Sequence, residues 1–209
     1  MKRHTKKWTK NVSLLLLLLK MLFVFGQKKV VVIDPGHGGK DSGAIGINGI
    51  LEKEVVLDIA KEIIRLNKAI LKDDFDIYLT RYKDTLISLA DRAQLAKRLH
   101  ADVFVSLHCN ASNNYAKGVE VYVHNSDRRN TKESIALGVS ILYESTQKLE
   151  FKKRGVKFAN FQVLRDATSF LPAVLVEMGF ITNTDEAAYF LKPKNVRAMA
   201  LAKIGRAHV

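Results

Sequence analysis

A chain of 209 residues, 47% of them apolar, is long enough for one domain with a full core, and its formal charge of +13 suits an anionic surface without choosing among them. Six of its 34 basic residues crowd into positions 1–26, which hold no acid, so the remainder carries 28 basic against 21 acidic residues. The single cysteine, Cys109, excludes an intrachain disulfide and a cysteine-rich metal centre.

The opening run, MKRHTKKWTKNVSLLLLLLKMLFVFGQ, reads as a secretory signal over 1–26: a basic start, an apolar stretch and a small residue at Gly26. Its apolar part covers only 15 residues, 12–26, and Lys20 interrupts it. A spanning helix needs roughly 20 apolar residues, so a cleaved signal fits better than a membrane anchor. The mature chain is therefore expected outside the cytoplasm, periplasmic or extracellular, with no stable membrane insertion.

Beyond the leader, apolar runs predict strands over 30–34, 76–80, 103–108, 119–124, 161–165 and 173–180. Helical periodicity covers 52–70, 86–99, 131–149 and 185–191, and a last helix starts near 195. This alternation predicts a single α/β domain over 27–203, built on a mostly parallel, twisted sheet of about six strands with helices on both faces. No internal repeat or linker marks a second domain. The last six residues, IGRAHV (204–209), break off the helical pattern NVRAMALAK without a stop signal and resemble translated sequencing adapter. The natural chain is expected to continue past Lys203, and no function is assigned to His208.

Six histidines need sorting. His4 lies in the leader and His208 in the doubtful tail. His100 closes a helix, where an imidazole meets the negative end of the dipole favourably. His124 alternates with Glu120 and Tyr122, opposite Val119, Val121 and Val123, which reads as the solvent side of a strand. His37 and His108 remain. Both follow apolar strands, VVVID and VFVSL, and if those strands are parallel neighbours the two imidazoles leave the sheet at one edge. Glycines 36, 38 and 39 around His37 let the chain turn sharply and let another group come close.

Two acids join them. Val56, Ile59, Ile63 and Leu66 form the apolar stripe of the first helix, and Glu52 falls on that stripe, whereas Glu54 lines up with Asp58, Lys61 and Arg65 on the polar side. An unpaired carboxylate aimed at a core is costly, and a cation would resolve the conflict. Glu177 ends an otherwise apolar run, AVLVEMGF. Two histidines, one glutamate and a second, free glutamate compose a hydrolytic zinc centre, with one coordination position left for water. Cys109, next to His108, points to the other sheet face if the strand continues, and so packs.

Four segments, IDPGHGG, EKEVVLDIA, SLHCNA and LVEMGFITN, in this order and at this spacing, resemble the zinc-dependent N-acetylmuramoyl-L-alanine amidases of bacterial cell walls. The similarity spans 28–203. It implies one zinc ion on His37, Glu52 and His108, catalysis by Glu177, and a polar residue near the metal at Asn110. It further implies peptidoglycan as substrate, cut at the amide joining the lactyl group of N-acetylmuramic acid to L-alanine of the stem peptide. Some relatives insert an autoinhibitory helix before the last strands. Here 125–160 is short and half filled by the helix at 131–149, so no protein activator is expected. A phosphate-binding loop is excluded because its spacing is absent, and nothing beyond charge points to nucleic acid. A catalytically dead wall-binding module would lack one of the four residues, while a zinc endopeptidase would keep them and cut cross-links instead.

Overall fold

The computed structural model describes residues 28–112, 115–126 and 129–204. The expected leader and all but the first residue of the doubtful tail lie outside them. In chain order the elements are β1 (Lys29–Pro35), α1 (Glu52–Ala69), β2 (Phe75–Leu79), α2 (Leu89–Arg98), β3 (Val103–Asn110) and β4 (Val119–His124). There follow α3 (Thr131–Leu149), β5 (Lys153–Ala159), α4 (Gln162–Ala167), β6 (Ala173–Phe180), α5 (Thr184–Phe190) and α6 (Pro193–Ile204). No helix among the described residues is long and apolar enough to cross a membrane.

The six strands form one sheet in the order β2-β1-β3-β6-β4-β5, with helices on both faces. β2, β1, β3 and β6 run parallel, whereas β4 is antiparallel to β6 and carries β5 parallel to itself. β1, β3 and β6 therefore end at the same edge at which β4 begins. Side-chain alternation divides the apolar residues between two cores. Ile33, Val105, Leu107, Val121, Val174 and Val176 face α1, α3 and α6, while Val32, Phe104, Ala173 and Leu175 face α2 and α4. Cys109 is buried in the first of these cores.

Helix signals decide the boundaries. Ser88 caps α2, its Oγ accepting from the Asp91 amide, so the helix starts three residues later than periodicity alone suggests. It stops where His100 takes up φ 49°, the left-handed conformation that closes many helices.

Two expectations need correction. The segment 161–165 is not a strand: Phe161 precedes α4, whose Val163, Leu164 and Ala167 are buried together at helical spacing against Ala93 and Ala96 of α2. The fifth strand is KRGVKFA, an edge strand without one fully buried side chain. Edge strands commonly carry lysines and need no apolar alternation, which is why its pattern is weak. Nor is the Glu120–Tyr122–His124 side of β4 open to solvent. β4 lies inside the sheet, α4 and its leading Phe161 cover that face, and Glu120 and His124 are 2% and 5% exposed.

Candidate active site

β1 and β3 are parallel neighbours, so His37, just past Pro35, and His108 meet at one sheet edge, their ring centroids 4.9 Å apart. Glu52 arrives from the other side of the sheet. The stripe it shares with Val56, Ile59, Ile63 and Leu66 is buried on the core, and Glu52 extends it to the end of β3 at 4% exposure. Glu54 is exposed. One ligand atom from each of His37, Glu52 and His108 lies within 4.8 Å of the others, a group that could hold a metal ion.

The glycines make this convergence possible. A Cβ on Gly36 would fall inside the His108 imidazole, and one on Gly43 would sit 2.5 Å from Glu52 Oε2 and 2.6 Å from His37 Cδ2. Neither position tolerates a side chain while the three groups stay together.

Hydrogen bonds fix the orientation of each member. Glu52 Oε2 accepts from the Ala44 amide at 2.8 Å and Oε1 from the Cys109 amide at 3.0 Å. Glu52 Oε1 also lies 2.9 Å from His108 Nδ1 and 3.1 Å from His37 Nε2. Asp41 Oδ2 meets His37 Nδ1 at 2.8 Å, an arrangement that turns the other ring nitrogen toward the centre of the group. Burial drives the Glu52 carboxyl upward, but the hydrogen bonds from His108 and His37 outweigh it and hold the group well below the ordinary carboxylate range. Burial likewise pulls the His37 imidazole down, and Glu52 and then Asp41 raise it to about 9. The pocket therefore favours positive charge at its centre.

Glu177 is the direct cross-strand partner of His108 on β6 and stands outside the group of three. Its Oε2 is buried with no hydrogen-bond partner among the described residues. Burial pushes its carboxyl up; His108 pulls it back, the charges of Glu52 and Glu120 push further, and the outcome is about 7. Asn110 donates from Nδ2 to Glu120 Oε1 at 2.9 Å, so it serves the carboxylate beside Glu177 rather than the His37–Glu52–His108 group.

A family model described as N-acetylmuramoyl-L-alanine amidase matches residues 31–205. The chain belongs to the N-acetylmuramoyl-L-alanine amidase family. The endolysin of Bacillus phage SPP1 is 42% identical over 170 residues, which cover 79% of this chain and 60% of the endolysin. The N-acetylmuramoyl-L-alanine amidase LytC of Bacillus subtilis (strain 168) is 41% identical over 161 residues, covering 77% of this chain and 31% of LytC. The chain thus spans less than two thirds of either relative. Among solved structures, an N-acetylmuramoyl-L-alanine amidase from Clostridium difficile 630 superposes with a TM-score of 0.77 at 35% identity, over 85% of this chain and 94% of that one.

Several residues that shape this amidase-family site were not singled out in the sequence. Asp41 could have been found, being a lone acid four residues past His37 in a glycine-rich turn. The others form a buried clamp on the same turn. Asp34, 1% exposed, accepts from Thr80 Oγ1 at 2.6 Å, Ser106 Oγ at 2.7 Å and Arg92 Nη1 at 2.7 Å. Arg92 also donates to the carbonyls of Pro35 and His37, and Arg81 to those of Pro35 and Gly36. These bonds hold His37 at φ 57°, a left-handed conformation that costs a non-glycine residue about 1–2 kcal/mol. Arg92→Met strands the Asp34 charge in the interior and releases the His37 carbonyl, while that of Pro35 keeps Arg81. A loss of about 3–5 kcal/mol in unfolding free energy is expected, read from a urea melt followed by circular dichroism.

Proposed function

We propose that this chain is a zinc hydrolase that cuts the amide between the lactyl group of N-acetylmuramic acid and L-alanine of the peptidoglycan stem peptide. One observation carries the reading: an imidazole–carboxylate–imidazole group with a glutamate on the adjacent strand whose Oε2 is buried without a partner, in a chain of this family. The names of its relatives supply the bond. The reading makes the protein an exported one that works at the cell wall, with peptidoglycan as its partner and no role for nucleic acid.

His37, Glu52 and His108 would hold the zinc. Two imidazoles and a carboxylate suit zinc better than calcium or magnesium, which prefer oxygen ligands, and three protein ligands leave a position open. When bound, the ion supplies a Lewis acid for the scissile carbonyl and lowers the pKa of water. Glu52, buried and charged, favours a cation, and Asp41 holds the His37 ring by its outer nitrogen. Glu177 accepts the proton of the attacking water and returns it to the departing alanine nitrogen. Burial raises this carboxyl above the ordinary range, which suits a group that must both take and return a proton.

We further propose that no activator is needed. The stretch between β4 and β6 is taken up by α3, β5 and α4, and α3 packs through Ile141 and Leu142 into the core on the opposite face from Glu177. The chain from residue 27 onward should digest purified wall unaided, and inertness of a cooperatively folded preparation until a partner protein is added would overturn this.

Mass spectrometry of muropeptides from digested wall should reveal new L-alanine amino termini and peptide-free lactyl groups. Termini from cut cross-links would instead identify an endopeptidase. Glu177→Gln should lower turnover by about 10²–10⁴-fold at unchanged zinc content, since a side-chain amide accepts no proton. Glu52→Ala should abolish zinc retention and Glu54→Ala should not, as measured by plasma mass spectrometry of the dialysed protein. Asp41→Ala should weaken zinc affinity by about 10–100-fold in a competition titration with a chelator.

A further inference from the structure

Glu177 has a second carboxylate beside it. The antiparallel ladder between β4 and β6 sets Glu120 directly opposite Glu177, so His108, Glu177 and Glu120 form one row across three strands on one face. Unlike Glu177, Glu120 is saturated. Its Oε1 accepts from Asn110 Nδ2 at 2.9 Å and Tyr122 Oη at 2.8 Å, and its Oε2 from Arg154 Nε and Lys157 Nζ, both at 2.6 Å.

Two cations crowd the same oxygen of Glu120, and Arg154 also feels the charge of the Glu186 carboxylate. Neither cation is enclosed, the Arg154 and Lys157 side chains being 27% and 39% exposed while Glu120 beneath them is at 2%. The backbone is shaped to bring them there. The β4–β5 register slips between Val119 and Glu120, so that Val119 faces Lys153 and Glu120 faces Gly155, with Arg154 as the extra residue of a bulge. Gly155 takes φ 104°, and no atom lies within 4 Å of where its Cβ would be, so its absent side chain serves the bend rather than close packing. Bulges of this kind re-aim a side chain. Here the bulge brings Arg154, which strict alternation would turn away from Lys157, onto the same carboxylate. Arg154 has two further contacts, from Nη1 to the Lys117 carbonyl at 3.5 Å and from its guanidinium to the Phe180 ring, 4.8 Å from the centroid.

The substrate of the amidase reading, on which this inference rests, has an uneven charge. Muramic acid spends its only carboxyl in the scissile amide, so the glycan is neutral and the free carboxylates belong to the stem peptide. We propose that Arg154 and Lys157, held in place by Glu120, form an anion subsite beside Glu177 that binds a carboxylate of the stem peptide. The peptide then lies over β4 and β5, and the glycan toward the His37 turn. Arg154 and Lys157 determine specificity in this scheme, and Glu120 is a positioning residue.

The test uses peptidoglycan stripped of other anionic polymers, as isolated and after conversion of its stem carboxylates to amides with carbodiimide and ammonia. The zinc-loaded full-length protein should release L-alanine amino termini from the amidated wall about tenfold more slowly at low wall concentration, the scale of one charge-assisted hydrogen bond at a partly exposed site. Lys157→Gln should be about tenfold slower on native wall and indifferent to amidation, with zinc content unchanged and a melt that stays cooperative, and Lys157→Arg should restore the preference. Equal rates of the wild-type protein on the two walls would overturn the subsite. So would a Lys157→Gln protein that slows by the same factor on both. Release from neither wall would overturn the amidase reading itself, and the subsite with it.

Discussion

The centre of this molecule depends on the way two buried arginines finish strand β1. When β1 ends at Pro35 the chain must leave the sheet edge, and the carbonyls of residues 35, 36 and 37 pass out of the ladder while still enclosed. A buried carbonyl without a donor costs about 1–3 kcal/mol, so three of them would unfold the turn. Arg81, which follows β2, and Arg92, in α2, supply the donors, and Asp34 compensates Arg92 at 2.7 Å. A guanidinium suits the task because its donors form a rigid fork that reaches several carbonyls at once. What the clamp secures is the left-handed turn at His37, and with it the direction in which that imidazole leaves the sheet.

Strand direction accounts for the rest of the geometry. β1, β3 and β6 are parallel, so the residues at their C-terminal ends emerge together and bring His37, His108 and Glu177 to one edge. The N-terminus of α1 reaches that edge from the opposite face and adds Glu52. Only an antiparallel neighbour could add a residue from the start of a strand to the same row, and β4 does so with Glu120. The change of strand direction between β6 and β4 thus adds a second carboxylate, with its two cations, to an edge otherwise built by parallel strands.

Much of this was legible in the sequence because it follows from short-range periodicity. A glutamate in phase with Val56, Ile59 and Ile63 has to point toward the sheet, and histidines that end apolar runs have to lie at its edge. What stayed hidden depends on tertiary partners. Glu120 alternates with Tyr122 and His124 as a solvent-facing series would, and nothing local says that Arg154 and Lys157 will satisfy it after burial. FQVLR has the composition of a strand, but Val163, Leu164 and Ala167 find the α2 surface at helical spacing. KRGVKFA shows the reverse: its lysines and its bulge disguise an edge strand. Nothing local marks Arg81 and Arg92 until the carbonyls they serve are known.

Three glutamates within one small volume have been given different electrostatic characters by their neighbours alone. All three are opposed by burial as carboxylates. Glu52 overcomes it through two imidazoles and two backbone amides, and Glu120 through Lys157, Arg154 and Tyr122, so both are held below their ordinary range. Glu177 has no comparable donor, and the charges of the other two push it further up. Holding Glu52 and Glu120 ionised is therefore part of what raises Glu177 above the ordinary carboxylate range, as suits a group that must both take and give a proton. A donor aimed at Glu177 Oε2 would make the row more stable and remove that property. The unsatisfied oxygen on β6 is thus the feature that the proposed chemistry requires, and the ionised Glu52 and Glu120 help to maintain it.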